Sequence, residues 1–155
     1  MIEVRRLEAV DIPQLLGIVR APDIAEIEEG CGQGLRQALE HGLAHSVEPL
    51  LLLYGGLPLA AFGEVSHVPG VVGVPWLIST VHLERHPRPF LRACRPLLAR
   101  MLDRHPTLSN YIDARNVAAI RWLQWLGFVM GSPVPYGPRA LSFRQFHLTR
   151  DRRYV

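Results

Sequence analysis

His41 and His45 stand four residues apart in a stretch that reads as helix, with Glu48 close behind. That spacing puts two imidazoles on one face and could offer two ligands to a metal. There is no HExxH sequence and no third ligand at a fixed spacing, so no metal site is expected. Cys31 and Cys94 are too few for a disulfide framework, and there is no CxxC. Cys94 falls on an apolar helix face, where a buried thiol is expected. Gly30, Gly32 and Gly34 in GCGQG do not form a GxGxxG fingerprint, and no apolar strand precedes them, so no phosphate loop is expected there. A P-loop and a nucleophile elbow are also absent. One polar residue stands at a structurally forced place: Asn116, at the turn where a short strand becomes a helix in NYIDARNVAAIRWLQWLGF.

The elements around Asn116 must belong to one folding unit. The chain has 155 residues, 48% hydrophobic and 20% charged, which suits one soluble globular domain with a sizeable core. We expect that domain over residues 1–148 and a charged, fraying tail over 149–155. The N-terminus lacks the apolar core of a signal peptide. The most apolar run, Leu50 to Phe62, is interrupted by Tyr54, Gly55, Gly56 and Pro58 and falls short of the roughly 20 residues that span a bilayer. A cytoplasmic protein with no membrane partner is expected. All 17 Lys+Arg positions are arginine, yet the formal net charge is only +3. That mild charge does not predict sequence-specific nucleic-acid binding.

Ile2 to Arg6 alternates like a first strand. Asp11 is a good N-cap with Pro13 just inside, opening a helix through Val19. Asp23 to Glu29 reads as a second helical piece and Leu35 to Ala44 as a third. Leu50 to Tyr54 is a continuous apolar strand, Gly55-Gly56 a hairpin turn, and Leu59 to His67 the returning strand. After a turn at Val68-Pro69-Gly70, Val74 to Leu83 reads as the third strand of an antiparallel meander, and the strand that follows should be central. Pro87 to His105 is a helix with Phe90, Cys94, Leu97, Leu98, Met101 and Leu102 on one stripe. Arginines 88, 92, 95, 100 and 104 occupy much of the rest, and Pro96 should bend it. Leu108 to Asp113 is a strand, Val117 to Leu126 a helix, and Phe128 to Met130 a short strand. A Pro/Gly loop over Ser132 to Pro138 leads to a last strand, Leu141 to Leu148. Trp122 and Trp125 should pack under the sheet or into an interface. The fold class is α/β (α+β), with a mostly antiparallel mixed sheet flanked by helices.

This order of elements, with Asn116, Ala119, Gly127 and Phe128 in register and Leu123 at the tyrosine position, resembles the GNAT (GCN5-related N-acetyltransferase) signature N-x-x-A-x-x-L-Y-x-x-x-G-F. In physical terms Asn116 can cap the helix, Ala119 lets it approach the sheet, and Gly127 ends it. A narrower resemblance covers Leu51 to Leu148. Leu53-Tyr54-Gly55 with Pro58-Leu59-Ala60, then Asn110-Tyr111, then Asn116 and Ile120-Arg121-Trp122-Leu123, are similar to the internal virion protein A type of T7-like podophages. That resemblance implies a GNAT-like module in virion assembly rather than a defined reaction. Its partners would be other phage virion proteins, and its place the host cytoplasm or the particle. A host protein docked on the arginine-rich helix, and an oligomer, are further expectations.

The GNAT resemblance implies acetyl-CoA as a possible cofactor and a glycine-rich loop after the third meander strand for its pyrophosphate. The matching stretch, Glu84 to Leu91, has no glycine, and Pro87 and Pro89 each delete a donor. Arg85, His86, Arg88 and Arg92 could attract phosphate through side chains. The cofactor-binding candidates are Thr80, Val81, Arg85, Arg88, Arg92 and Asn116. The family's proton-donating tyrosine falls at Leu123, leaving Tyr111 and Tyr136 as substitutes. A general base would sit near the gap between the third meander strand and Leu108–Asp113, and the candidates are Glu64, His82, Glu84 and Asp113. The expected function is therefore a non-catalytic virion-assembly module or, alternatively, an acetyl-CoA-dependent N-acetyltransferase with a degenerate pyrophosphate loop.

Overall fold

The computed structural model describes residues 1–150. Its centre is a seven-stranded mixed sheet in the order β1-β2-β3-β4-β5-β7-β6. The strands are β1 (Ile2–Arg6), β2 (Leu50–Tyr54), β3 (Leu57–Val68), β4 (Val72–Ser79), β5 (Thr107–Asp113), β6 (Val129–Tyr136) and β7 (Leu141–Thr149). Every neighbouring pair is antiparallel except β4 and β5. On one face lie α1 (Ile12–Leu16), α2 (Ala21–Ala25), a wide π-type turn (Glu26–Gly30) and α3 (Leu35–His45). The other carries α5 (Pro87–Arg104) and α6 (Val117–Leu126), with the short α4 (Val81–Arg85) before α5. Among the described residues no helix is long and apolar enough to cross a membrane.

Both faces of the sheet are covered, which explains the unbroken apolar run of β2. Leu50 and Leu52 enter the core under α5 and α6, whereas Leu51 and Leu53 enter the core under α1–α3. Gly55 and Gly56 both take positive φ, 57° and 82°, as a tight two-residue hairpin demands. At the other end, Gly127 takes φ 104° and closes α6, with Phe128 N–H donating to Leu123 O at 3.0 Å.

Several expectations need correction. The third meander strand stops at Ser79 rather than Leu83. Thr80 breaks it by becoming the N-cap of α4, its Oγ1 accepting from His82 N–H at 3.2 Å. The first helix is shorter than expected: a 3-10 turn (Ala9–Asp11) precedes α1, which ends at Leu16 with Gly17 as its C-cap. Asp11 makes no cap bond to α1, because its carboxylate accepts from Glu8 N–H and binds Arg5. The segment read as a Pro/Gly loop, Ser132 to Pro138, is strand up to Tyr136. The prolines are tolerated because β6 is an edge strand with one unpaired side. The tail is ordered further than expected. Thr149 pairs with Thr107, and Arg150 N–H donates to Pro106 O at 2.8 Å. The rest of the expected tail, 151–155, lies outside the described residues.

Candidate active site

β4 and β5 pair only at their starts, Val72 with Thr107 and Gly73 with Leu108, and then diverge. A proline causes the break. Along β4 the odd-numbered residues face β5, and Pro75 has no N–H to give to the ladder. The carbonyl of Pro75 instead accepts from Asn110 Nδ2 at 2.7 Å, a side-chain bridge across the opening gap. Beyond it a cavity of about 480 Å³ passes through the sheet. Its wall towards α2 and α3 includes Glu26, Cys31, His41, Tyr111 and Tyr136. Towards α5 and α6 it is lined by aliphatic and aromatic side chains.

The wide end of the splay is held by a buried polar network. Arg20, Asp23, Ser79 and Asn116 are each less than a tenth exposed. Arg20 Nε donates to Ser79 Oγ at 2.8 Å, and its Nη2 donates to Asp23 Oδ1 at 2.7 Å and to Asn116 Oδ1 at 2.9 Å. Asn116 Nδ2 donates back to Asp23 Oδ1 at 2.9 Å, and Ser79 N–H donates to Asp23 Oδ2 at 2.7 Å. The backbone joins in. Val19 bridges Thr80, Arg20 N–H donates to Ser79 O, and Val81 N–H donates to Ile18 O. The segment after α1 thus adds to the end of β4 as a short extra strand. The Arg20 guanidinium also lies 4.7 Å from the Trp122 ring centre. A buried ion pair persists only when its remaining donors and acceptors are met, and these are. Asn116 occupies the N-cap position of α6 but makes no side-chain cap bond, contrary to the expectation of a capping role. Its amide is spent on the network instead.

Beside this network Glu26 faces the cavity from the π-type turn. Its Oε1 accepts from Asp113 N–H at 3.1 Å and from Asn116 Nδ2 at 3.4 Å. Burial pushes its carboxyl up to about 7, with smaller upward pushes from Asp23 and Asp113 opposed by those two hydrogen bonds. Tyr136 stacks between Tyr111 and Phe143, with 4.7 Å between centroids on each side. Burial raises the Tyr136 hydroxyl and the nearby Cys31 thiol above their ordinary values.

The residues expected from the sequence fall in different places. Glu64 is fully buried, but it is committed to a separate network. It accepts from Arg104, and its Oε2 lies 2.7 Å from His105 Nδ1, whose Nε2 meets Ser66 Oγ at 3.1 Å. Asp113 is gripped by Arg115, with Nη2 at 2.7 Å. His82 and Glu84 lie on α4 away from the cavity lining, and Glu84 reaches only to 4.0 Å from Arg20 Nη1. Tyr111 lines the cavity, as does Leu123, which offers no proton. The Thr80 hydroxyl donates to Pro58 O, and the Val81 side chain is exposed. Arg85, Arg88 and Arg92 are exposed around the start of α5, where Pro87 opens the helix and His86 makes no cap bond. Trp125 is exposed under Arg95, whose guanidinium lies 4.1 Å from its ring centre. The His41 and His45 rings lie 4.4 Å apart and tilted at 43°, and among the described residues no His/Cys/Asp/Glu cluster suits a metal.

Sequence reasoning missed Arg20, Asp23 and Glu26. One signal was available. Positions 20, 23, 27 and 30 share a helical spacing and are all buried, so a charged pair sits on an inward stripe.

No protein-family model matches the sequence, and no curated protein matches it. Solved structures do match the fold. Spermidine N-acetyltransferase from Vibrio cholerae, in complex with CoA and spermine, aligns with TM-score 0.67 at 14% identity, over 99% of this chain and 98% of that one. Ribosomal-protein-S18-alanine N-acetyltransferase from Escherichia coli aligns with TM-score 0.66 at 16% identity, over 96% and 94%. A GNAT-family acetyltransferase from Bacillus anthracis gives TM-score 0.72 at 10% identity, over 97% and 95%. The chain therefore has the GNAT fold, a single α/β domain with a seven-stranded mixed sheet. The resemblance to phage internal virion proteins gains no support from these structures.

Proposed function

We propose that this chain is an acyl-CoA-dependent N-acyltransferase acting at the β4–β5 splay. One observation carries the reading: the splay opens on a cavity that bears Glu26, a carboxyl raised to about 7. An amine attacks an acyl carbon only in its neutral form, and a base poised near neutrality is suited to take its proton. The solved structures of the same fold support the reading, because the spermidine acetyltransferase among them was crystallised with CoA.

The chain fits acyl-CoA by side-chain charge and by an open strand edge, not by a backbone cradle. Pro87 and Pro89 remove two N–H groups from the first turn of α5. Arg85, Arg88 and Arg92 are exposed there and would meet the diphosphate as cations. Leu77 points its backbone into the splay, where an amide-bearing arm could add as a strand. The next edge donor, Ser79 N–H, is already held by Asp23. The bound cofactor would supply the activated acyl group as its thioester. Glu26 would orient and deprotonate the amine, and the hydroxyls of Tyr111 and Tyr136 are the proton donors lining the cavity. Calorimetry with acetyl-CoA tests this. Binding that weakens in Arg88→Ala and Arg92→Ala supports it, and no binding at millimolar ligand overturns it.

A second reading is favoured by the prolines of α5, by Leu123, and by the occupied Ser79 donor. The fold would then serve as a non-catalytic module among phage virion proteins, in the host cytoplasm or within the particle. Particles from a deletion mutant, analysed by mass spectrometry, test it. Normal infectivity with an unchanged protein complement would sink that reading.

A further inference from the structure

The cavity has two chemically different ends. Its polar groups, among them Glu26, Asn110, Tyr111 and Asn116, lie at the splay or on the α2–α3 side. On the α5–α6 side the wall includes Phe90, Cys94, Leu98, Met101, Ala119 and Leu126, every one less than a tenth exposed, with the half-buried Trp122 beside them. Burial pushes the Cys94 thiol up to about 12, so it stays neutral. Ala119 is the smallest of these residues, and Leu123 adds an aliphatic surface rather than a hydroxyl.

This end suits neither water nor emptiness. A buried water needs two to four polar partners, and these six side chains offer only the weak thiol of Cys94 and the weak thioether of Met101. Protein interiors are close-packed, and an unfilled apolar void forfeits dispersion contacts on every wall. Apolar cavities of about 150 Å³ stay dry and take up benzene; the cavity as a whole, polar and apolar ends together, is about 480 Å³. The apolar end also continues directly into the splay, where the acyltransferase reading puts the thioester.

We propose that the apolar end of the cavity holds the alkyl chain of a fatty acyl group, and that the acyl donor is a medium- or long-chain acyl thioester rather than an acetyl one. The choice of donor rests on the acyltransferase reading; the affinity for an alkyl chain does not. Each methylene taken from water should tighten binding about fourfold, the equivalent of about 0.8 kcal/mol.

The experiment is calorimetry of the full chain with decanoyl-CoA, acetyl-CoA and decanoate, repeated on Ala119→Phe, which fills the apolar end. A thermal melt of each variant checks folding, and Leu126→Trp serves if Ala119→Phe does not fold. The expected result is decanoyl-CoA binding at least about 100-fold tighter than acetyl-CoA, the gain from burying only three or four of its eight extra methylenes, with that advantage lost in the filled variant. Decanoate that binds wild type but not the filled variant, with no CoA ester binding, keeps the alkyl-chain site and removes the acyltransferase reading. Equal affinity for the two CoA esters overturns the alkyl-chain site and leaves the acyltransferase reading standing. Binding of none of the three overturns both, and decanoate affinity unchanged by the filled variants overturns the site.

Discussion

Asp23 accepts the backbone N–H of Ser79 at 2.7 Å across 56 residues of sequence. This bond ties α2 to the last residue of β4 and fixes the wide end of the splay. Arg20 completes it from the other side, with its guanidinium shared among Ser79, Asp23 and Asn116. The cavity mouth is thus shaped by an ion pair rather than by a loop.

Removing Arg20 should be severe. Arg20→Ala leaves the Asp23 carboxylate buried without its cation, and breaking a buried pair costs about 3–5 kcal/mol. Urea denaturation of Arg20→Ala against wild type measures this. A loss below about 1 kcal/mol would mean that the pair is not buried in solution.

Glu26 should make stability depend on pH. Its folded value, about 7, lies above its ordinary value of 4.5. Between those values the unfolded chain ionises while the folded chain stays protonated. The contribution is therefore present below about pH 4.5 and is lost as pH rises to about 7, by an amount on the order of 3 kcal/mol. Glu26→Gln should remove this part of the slope. If the amine proton passes to Glu26, activity should rise through about pH 7, and Glu26→Gln should lower kcat by about 10²–10⁴-fold.

The Glu64 network should prove structural. Glu64→Ala leaves the buried His105 without its Nδ1 partner and Arg104 with Glu48 alone and should cost about 3 kcal/mol of stability. Because Glu64 is not part of the cavity lining, ligand affinity should be unchanged by calorimetry. A loss of affinity with stability intact would return Glu64 to the site.

Much of this was legible in the sequence. The strand–turn–helix of Asn110 to Phe128 is local: alternation, a turn and a helix-ending glycine all lie within one short stretch. Pro75 was passed over inside a strand read straight through from Val74 to Leu83, and the divergence beside it shows only when β5 is set next to β4. The Arg20–Asp23–Asn116 network was not legible, because it joins residues up to 96 positions apart. Arg20 and Asp23 share a helical spacing, but no local rule brings Asn116 to them. Asn116 was given its local role, the helix cap, whereas a buried arginine took its side chain. Glu26 was missed for a related reason. A carboxylate in an acidic helical stretch reads as solvated, and only the packing of β5 and α6 against it raises its pKa.

Gly30 offers a packing test of the same region. A Cβ at this position would lie 2.4 Å from the Phe143 ring, which stacks on Tyr136. Gly30→Ala must push that ring aside, at a cost of about 1–3 kcal/mol. Near-ultraviolet circular dichroism should report the disturbed tyrosine stack. An unchanged spectrum with unchanged stability would mean that the ring is not packed there.

The central claim is that the splay between β4 and β5 receives the acyl-CoA arm. Backbone amide chemical shifts during titration with an acyl-CoA test it most directly. The account predicts that the Leu77 amide shifts first, with Asn116 and Glu26 following. Shifts confined to the arginines of α5, or no shifts at millimolar ligand, would contradict it.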